Sequence, residues 1–138
     1  EVDALYEASQ ELFRPLNPTI NFAVGEEFLS MRSKLIEQLA PRFEDFERIL
    51  GSQPTTPFFF GDDPFYCDFG VFHHVNLALH LDENLLDPYP LLSGFLSNFE
   101  RLDGVKEYLD SRPELIGVGS KPQLLIDGAA KSTGVVND

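Results

Sequence analysis

The chain has 138 residues, 43% of them apolar, and a formal net charge of −13. This length suits one compact domain with its own core. The 23 acidic residues outnumber 10 basic ones, and the basic residues form no cluster, so nucleic acid and anionic membrane surfaces are poor candidate partners. No apolar run approaches the roughly 20 residues that cross a bilayer, which argues against membrane insertion.

The single cysteine, Cys67, excludes an intrachain disulfide framework and suits a reducing compartment. We therefore expect the cytoplasm, or an organelle interior after processing, and not secretion. The first residue is Glu1 and not Met, and helical patterning is already under way by Val2, so we expect a longer parent chain.

Two helices are predicted in the first third of the chain. An amphipathic helix is expected from Val2 to Phe13, ending before Pro15 and Pro18, with a loop from Leu16 to Gly25. A longer helix should begin near Glu26 and continue in phase beyond Pro41, which is expected to kink it. Its apolar stripe comprises Phe28, Leu35, Leu39, Phe43, Phe46 and Leu50.

The central segment combines an aromatic loop with a strongly apolar helix. Residues 52–64 contain three prolines, and Phe58 to Phe60 are expected to plug this loop onto the core. The next helix, from about Tyr66 to Leu81, is apolar almost all round and should be central. We expect its buried side to include Phe69 and Phe72.

Shorter elements are expected after the acidic loop that follows this helix. Pro90 suits the first position of a helix that extends to Leu102, and a further helix spans Gly104 to Ser111 with Tyr108 facing inward. The remaining residues, 114–138, read as an irregular tail anchored by Leu124, Leu125 and Ile126. No segment alternates clearly enough to predict a strand.

The order of these parts resembles the all-helical C-terminal domain of cytosolic glutathione transferases of the mu or sigma type. The resemblance runs from about Ala4 to Arg112 and implies an all-α bundle of about five helices over residues 1–113, followed by the irregular tail 114–138. The matching pieces are Arg48-Ile49-Leu50-Gly51, Phe59-Phe60-Gly61-Asp62, Tyr66-Cys67-Asp68-Phe69, Tyr89-Pro90-Leu91-Leu92, Phe95, Phe99 and Gly104 to Arg112.

Asp68 is a carboxylate set into the start of the apolar central helix. Such a group makes physical sense as a structural cap that accepts hydrogen bonds from backbone N–H groups at the helix start. In the family that the chain resembles, Ser or Thr precedes this Asp by three positions. Here that position is Phe65, so half of the reciprocal capping box is absent.

The resemblance also implies where chemistry would occur. In these enzymes a thioredoxin-like N-terminal domain binds glutathione and activates its thiol, so this chain is expected to contain no catalytic residue and no cofactor. Glutathione would be a cosubstrate only if that domain is present. The helical half would form a wall for an apolar electrophile. Similarity around Asn17-Pro18 puts Leu5, Ala8, Ser9 and Leu16 on that wall, with Leu12 nearby.

Other candidate sites have simpler interpretations. His73, His74 and His80 lack the spacing of a metal-binding pair, so packing or surface hydrogen bonding is favoured and no metal is expected. Cys67 is expected to be inert, since Asp62, Asp63 and Asp68 would disfavour its thiolate. Asp62 and Asp63 themselves are typical of a solvated turn.

Two hypotheses follow. The first, narrowly favoured, is a non-catalytic helical module that acts through a protein partner or within a larger assembly. The second is the C-terminal, electrophile-binding part of an active transferase that is covalently linked to a thioredoxin-like domain. The resemblance also implies a homodimer, because the first helices of such enzymes help to form the two-fold interface.

Overall fold

The computed structural model describes residues 2–52 and 56–132. Parts of the predicted loop (53–55) and of the predicted tail (133–138) lie outside the described residues. Helices and strands follow one another along the chain. They are α1 Val2–Gln10, α2 Phe13–Asn21, α3 Gly25–Gly51, α4 Tyr66–Ala78, α5 Pro90–Glu100, α6 Val105–Ser111, β1 Glu114–Ile116, β2 Gln123–Ile126 and β3 Ala129–Ser132.

The helical bundle confirms the predicted fold class, but its first part differs from the prediction. The expected loop from residue 16 is wrong, because α2 continues through both prolines to Asn21. Pro15 lies in the first turn of α2, where a backbone N–H has no partner within the helix, so the missing donor costs little. Burial of Leu16 and Ile20 in the core stabilises the helical conformation of this proline-containing segment.

Helix α3 is the long element that the apolar stripe predicts. It extends over 27 residues through Pro41 without interruption. Every member of the predicted stripe, from Phe28 to Leu50, is buried, which confirms that the stripe stays in phase beyond the proline. The stripe faces α5 on one side and α2 on another.

Helix α4 is central, as predicted, and packs closely against α1. Close packing is possible because Gly70 has no side chain. A Cβ at this position would lie 2.6 Å from the Ser9 hydroxyl oxygen. The prediction for Phe69 is wrong, since half of its surface is exposed. In a helix that is apolar almost all round, the sequence pattern does not show which face remains exposed to solvent.

Phenylalanine rings fill the centre of the bundle. Phe58 and Phe59 are both buried, which confirms that the loop before α4 is plugged into the core. Phe59 meets Phe95 of α5 edge to face, with ring centroids 4.9 Å apart. Edge-to-face contacts of this kind add to the stabilisation that burial of the rings already provides.

A side chain of α3 caps the start of α5. The Glu47 carboxylate accepts hydrogen bonds from the N–H groups of Leu91 and Leu92, at 2.8 and 2.7 Å. The residue that precedes the helix, Tyr89, makes no side-chain capping bond. A carboxylate at a helix N-terminus satisfies free donors and complements the helix dipole.

We expect Glu47→Ala to lower the free energy of unfolding by about 1 kcal/mol, the usual cost of removing a helix cap. Glu44→Ala, one turn earlier on α3, is the matched control and should change stability by less than about 0.5 kcal/mol. Urea unfolding measures both variants. Equal losses in the two would contradict a capping role for Glu47.

The segment after residue 113 corrects the prediction of an irregular tail. β1, β2 and β3 form an antiparallel meander in which Leu115 pairs with Leu124 and Leu125 pairs with Ala130. Asp127 and Gly128 connect β2 and β3 with positive φ angles of 50° and 79°. An Asp-Gly pair between apolar residues favours such a hairpin, and this local signal was available in the sequence. The strands are too short to show alternation.

The meander is tied to the helical bundle at the start of α3. The N–H of Gly25 donates to the carbonyl of Gly119 at 2.8 Å. Gly119 lies against the Phe28 ring, which a Cβ at that position would approach to 2.6 Å. Because Phe28 belongs to the core stripe, the segment 114–132 is anchored to the domain through this contact.

Candidate functional site

Exposed aromatic side chains lie along α4 and on α1 and α6 beside it. They are Tyr6, Phe65, Tyr66, Phe69 and Tyr108. Tyr6 of α1 meets Tyr66 of α4 edge to face at 5.2 Å. Exposed apolar surface of this kind is typical of an interaction site. We call it the aromatic strip.

One end of the aromatic strip borders a pocket between α4 and α6. The pocket has a volume of about 440 Å³ and includes Phe69, Phe72, Phe99 and Tyr108 in its walls. The inward-facing prediction for Tyr108 is wrong, since 64% of its surface is exposed. Helix α6 is only seven residues long and buries no residue fully, so its pattern could not distinguish a core face from a pocket rim.

The predicted electrophile wall is divided in the structure. Leu5 and Ala8 line an open cavity of about 500 Å³ between α1 and α3. Ser9, Leu12 and Leu16 are buried, and none of them lines this cavity. The Ser9 hydroxyl donates to the Tyr6 carbonyl at 2.6 Å. The structure therefore buries four of the five residues, of which only Leu5 also lines the cavity, and leaves Ala8 half-buried in the cavity wall.

The α1–α3 cavity has an apolar floor and a charged rim. Phe46, Ile49 and Phe59 contribute apolar surface, while Arg42 and Arg48 also line the cavity. Arg42 forms an ion pair with Glu11 across the gap between the helices. Phe60 lines the same cavity and contacts Phe65 of the aromatic strip, with ring centroids 6.5 Å apart. The cavity and the strip are therefore adjacent.

Asp68 is fully buried at the start of α4 and accepts hydrogen bonds from two backbone donors. One carboxylate oxygen accepts the Phe65 N–H at 2.8 Å, and the other accepts the Phe59 N–H at 3.0 Å. The Asp68 N–H in turn donates to the Phe65 carbonyl at 3.0 Å. The backbone of Phe65 thus replaces the missing hydroxyl, and Asp68 also joins the aromatic loop to the helix.

Cys67 lies next to this carboxylate and is fully buried. Burial, together with the charge of Asp68 and the hydrogen bond to it, raises the pKa of the thiol to about 12. A nucleophilic cysteine needs the opposite shift. Cys67 is therefore a packing residue in this structure.

We expect native Cys67 to react with Ellman's reagent at about pH 8 at least about 100-fold more slowly than a free cysteine, because the thiol is protonated and inaccessible. In denaturant the pKa falls to its ordinary value, and the reaction should be fast. The absorbance of the released thiolate gives both rates. Fast labelling of the native protein would contradict the assignment.

The three histidines lie on or just beyond α4 in two environments. His74 is buried, and its Nδ1 lies 2.8 Å from the Gly70 carbonyl oxygen. His73 and His80 are exposed, and the pKa of each is lowered by partial burial and then by the nearby Arg112 guanidinium. In residues 2–52 and 56–132, no group of three or more His, Cys, Asp or Glu side chains is placed to hold a metal ion.

Comparison with known proteins identifies the helical bundle. The profile of the family described as glutathione S-transferase, C-terminal domain, matches residues 17–112, well over half of the chain.

No helix among the described residues is both long and apolar enough to cross a bilayer.

Two similar curated proteins illustrate how much of a transferase this chain represents. Glutathione S-transferase Mu 4 of Homo sapiens is 29% identical over 95 residues, which cover 69% of this chain and 42% of the relative. Glutathione S-transferase Mu 1 of Bos taurus is 28% identical over 91 residues, covering 66% and 40% respectively. The chain therefore aligns with about two fifths of the length of these relatives.

A solved structure supports the same conclusion for the fold. The crystal structure of the glutathione S-transferase Blo t 8 matches with a TM-score of 0.67 at 18% identity, over 79% of this chain and 50% of that one. At this identity the likeness concerns the fold alone. The family match over residues 17–112 shows that the chain belongs to the glutathione S-transferase C-terminal domain family.

Proposed function

We propose that this domain is the docking and electrophile-binding half of a glutathione transferase, and that its own side chains carry no chemical step. The aromatic strip carries this proposal. Five exposed aromatic side chains on α4 and the elements beside it are typical of a surface that another protein surface covers. A thioredoxin-like domain that brings glutathione is the partner that the family membership favours.

The position of the α1–α3 cavity supports the binding part of the proposal. Because Phe60 belongs to the cavity and contacts Phe65 of the aromatic strip, a domain that covers the strip reaches the cavity mouth. The half-buried Ala8 and Ile49 then present apolar surface to an electrophile held there, with the buried Leu5 behind them. Cavities of this size and character suit a small apolar molecule.

The state of Cys67, the one thiol in the chain, supports the proposal that the side chains of this domain carry no chemical step. Cys67 is buried beside a carboxylate and has a pKa of about 12, so it is unsuited to nucleophilic attack. Glutathione activation would therefore come from the partner domain.

Conjugation of glutathione to chlorodinitrobenzene tests the proposal. We expect no turnover above background by the chain alone, and turnover when a thioredoxin-like, glutathione-binding domain is fused before it. In the fusion, Phe69→Asp should lower turnover at least about tenfold by placing a charge in the docked surface. Leu29→Asp is the matched control, because Leu29 is an exposed apolar residue of α3 outside the aromatic strip.

Two results would contradict the proposal. Turnover by the unfused chain would place chemistry in its own residues, and equal losses in the Phe69 and Leu29 variants would remove the aromatic strip from docking. Thermal unfolding of both variants separates weakened docking from loss of the fold. Tyr66→Asp provides a second test of the strip, since Tyr66 lies at its other end beside Tyr6.

The second candidate function is a non-catalytic module that uses the same aromatic strip for a different protein in a larger assembly. The net charge of −13 favours a basic partner for such a module. The mass of the endogenous protein distinguishes the two functions, because a transferase requires a further domain. Sedimentation of that protein also tests the proposed homodimer.

A further inference from the structure

A second groove lies on the side of α4 where the β-meander packs. It has a volume of about 670 Å³, and its walls come from α4, α6 and the meander. The meander begins at Glu114, beyond the last residue of the family match. The groove is therefore built partly from a segment that the family resemblance does not describe.

Arg112, at the end of α6, is the cation of this groove. Its side chain is half-buried and lines the groove together with His73 and His80. The pKa of each histidine is lowered by partial burial and then by the Arg112 charge. Among the described residues, the ion pairs are Arg42 with Glu11 and Arg48 with Asp45. Arg112 therefore has no Asp or Glu carboxylate within ion-pair distance in that part of the chain. Most of the basic residues in the described part of the chain share this property, but Arg112 is the one that lines this groove.

Half-buried leucines line the same groove. Leu109 of α6, Leu115 of β1 and Leu124 of β2 contribute apolar surface from different elements. The groove thus combines one guanidinium with an apolar floor, and its volume falls in the range typical of small-molecule sites. Guanidinium groups bind carboxylates through two parallel hydrogen bonds.

We propose that this groove binds a small organic acid, whose carboxylate pairs with Arg112 and whose apolar body lies along Leu109, Leu115 and Leu124. The groove shares no residue with the α1–α3 cavity and only Tyr108 with the aromatic strip. Arg112 and the three leucines lie outside the strip, so the proposal does not depend on the proposed function.

The other charged groups of the groove limit the ligand to one acidic group. Asp110 and Glu114 line the groove together with Arg112 and Tyr108. Two carboxylates repel a polyanion, but a single carboxylate can be held at the guanidinium with its apolar body turned away from them. Asp110 and Glu114 therefore favour a monoacid over a ligand with several phosphate groups.

The two histidines make binding dependent on pH. At neutral pH both imidazoles are mainly uncharged, because each pKa lies below its ordinary value. A bound carboxylate offsets the Arg112 charge and favours imidazolium, so the pKa of His73 and of His80 should rise on binding. By linkage, affinity should increase as the pH falls through the range in which these histidines titrate.

Calorimetric titration of the full chain with octanoate tests the proposal. We expect octanoate to bind more tightly than acetate, which lacks the apolar body, and more tightly than octanol, which lacks the charge. Arg112→Gln should weaken octanoate binding at least about tenfold, as expected for loss of a charged hydrogen-bonding partner. Arg101→Gln is the matched control, because Arg101 is exposed on the turn after α5 and lines none of the three cavities.

Nuclear magnetic resonance titration of the histidine ring protons supplies a second measurement. Octanoate should raise the pKa of His73 and His80 in the parent protein and leave both unchanged in Arg112→Gln. Unchanged octanoate affinity in Arg112→Gln, equal weakening in Arg101→Gln, or no octanoate binding by the parent would each overturn the proposal. Arg112→Lys keeps the charge and should retain part of the affinity. Comparison with this variant shows whether the weaker binding of Arg112→Gln results from the lost charge or from a folding defect.

Discussion

Asp68→Ala is expected to lower the free energy of unfolding by about 3 kcal/mol, the upper part of the range for stranding buried backbone donors. The carboxylate is fully buried and accepts the N–H groups of Phe59 and Phe65. Alanine leaves both donors without an acceptor. The change also releases the aromatic loop from the start of α4. Urea unfolding followed by circular dichroism measures the loss.

Two further variants define the origin of this loss. Asp68→Asn keeps one acceptor oxygen and should cost about half as much, because one of the two donors remains satisfied. Asp63→Ala, an exposed carboxylate in the preceding turn, should change stability by less than about 0.5 kcal/mol. If Asp68→Ala unfolds at the same urea concentration as Asp63→Ala, the carboxylate does not hold the helix start.

Gly70→Val is expected to destabilise the domain by about 3 kcal/mol, the upper part of the usual cost of overpacking a core. A Cβ at Gly70 would lie 2.6 Å from the Ser9 hydroxyl oxygen and 3.1 Å from the Tyr6 ring. Because Ser9 is fully buried, its short side chain cannot move aside, and α1 must shift away from α4. Thermal and urea unfolding measure the effect.

A second glycine supplies a control of opposite sign. Gly94 lies inside α5, and a Cβ there would meet no atom within 4 Å. Gly94→Ala should therefore stabilise the protein by about 0.5 to 1 kcal/mol through helix propensity. Gly70→Ala should destabilise it, and adding Ser9→Ala should recover part of that loss by removing the hydroxyl. Stabilisation by Gly70→Ala would show that α1 does not pack closely on α4.

The structure explains why the predicted electrophile wall is divided between a cavity and the core. The resemblance assigns Leu5, Ala8, Ser9 and Leu12 to the wall from one predicted helix, and Leu16 from the predicted loop that follows it. The chain instead breaks after Gln10 and begins a second helix at Phe13. This break changes the direction of the later residues, so Leu12 and Leu16 pack inward.

The two helix starts show how local and distant signals differ. Asp68 could be predicted as a cap because a cap and the helix start that it serves lie within four residues of each other. Glu47 could not, because it caps a helix more than 40 residues later in the chain. The contact exists only because α3 and α5 lie side by side.

The sequence alone determined the features that depend on short-range periodicity and on the ordered family motifs. These features include the apolar stripe of α3, the central position of α4, the plug formed by Phe58 and Phe59, and the membership of the helical domain in its family. A helix has 3.6 residues per turn, so the spacing of apolar residues within one segment identifies its buried face.

Only the tertiary structure decided which apolar residues remain at the surface and which distant residues meet. It left Phe69 and Tyr108 exposed in the aromatic strip, and it brought Arg112, His73 and His80 into one groove with residues of the β-meander. Exposure depends on which neighbours cover a face, and a groove depends on elements far apart in the chain. Neither property is present in any one segment, because each arises from the packing of several elements.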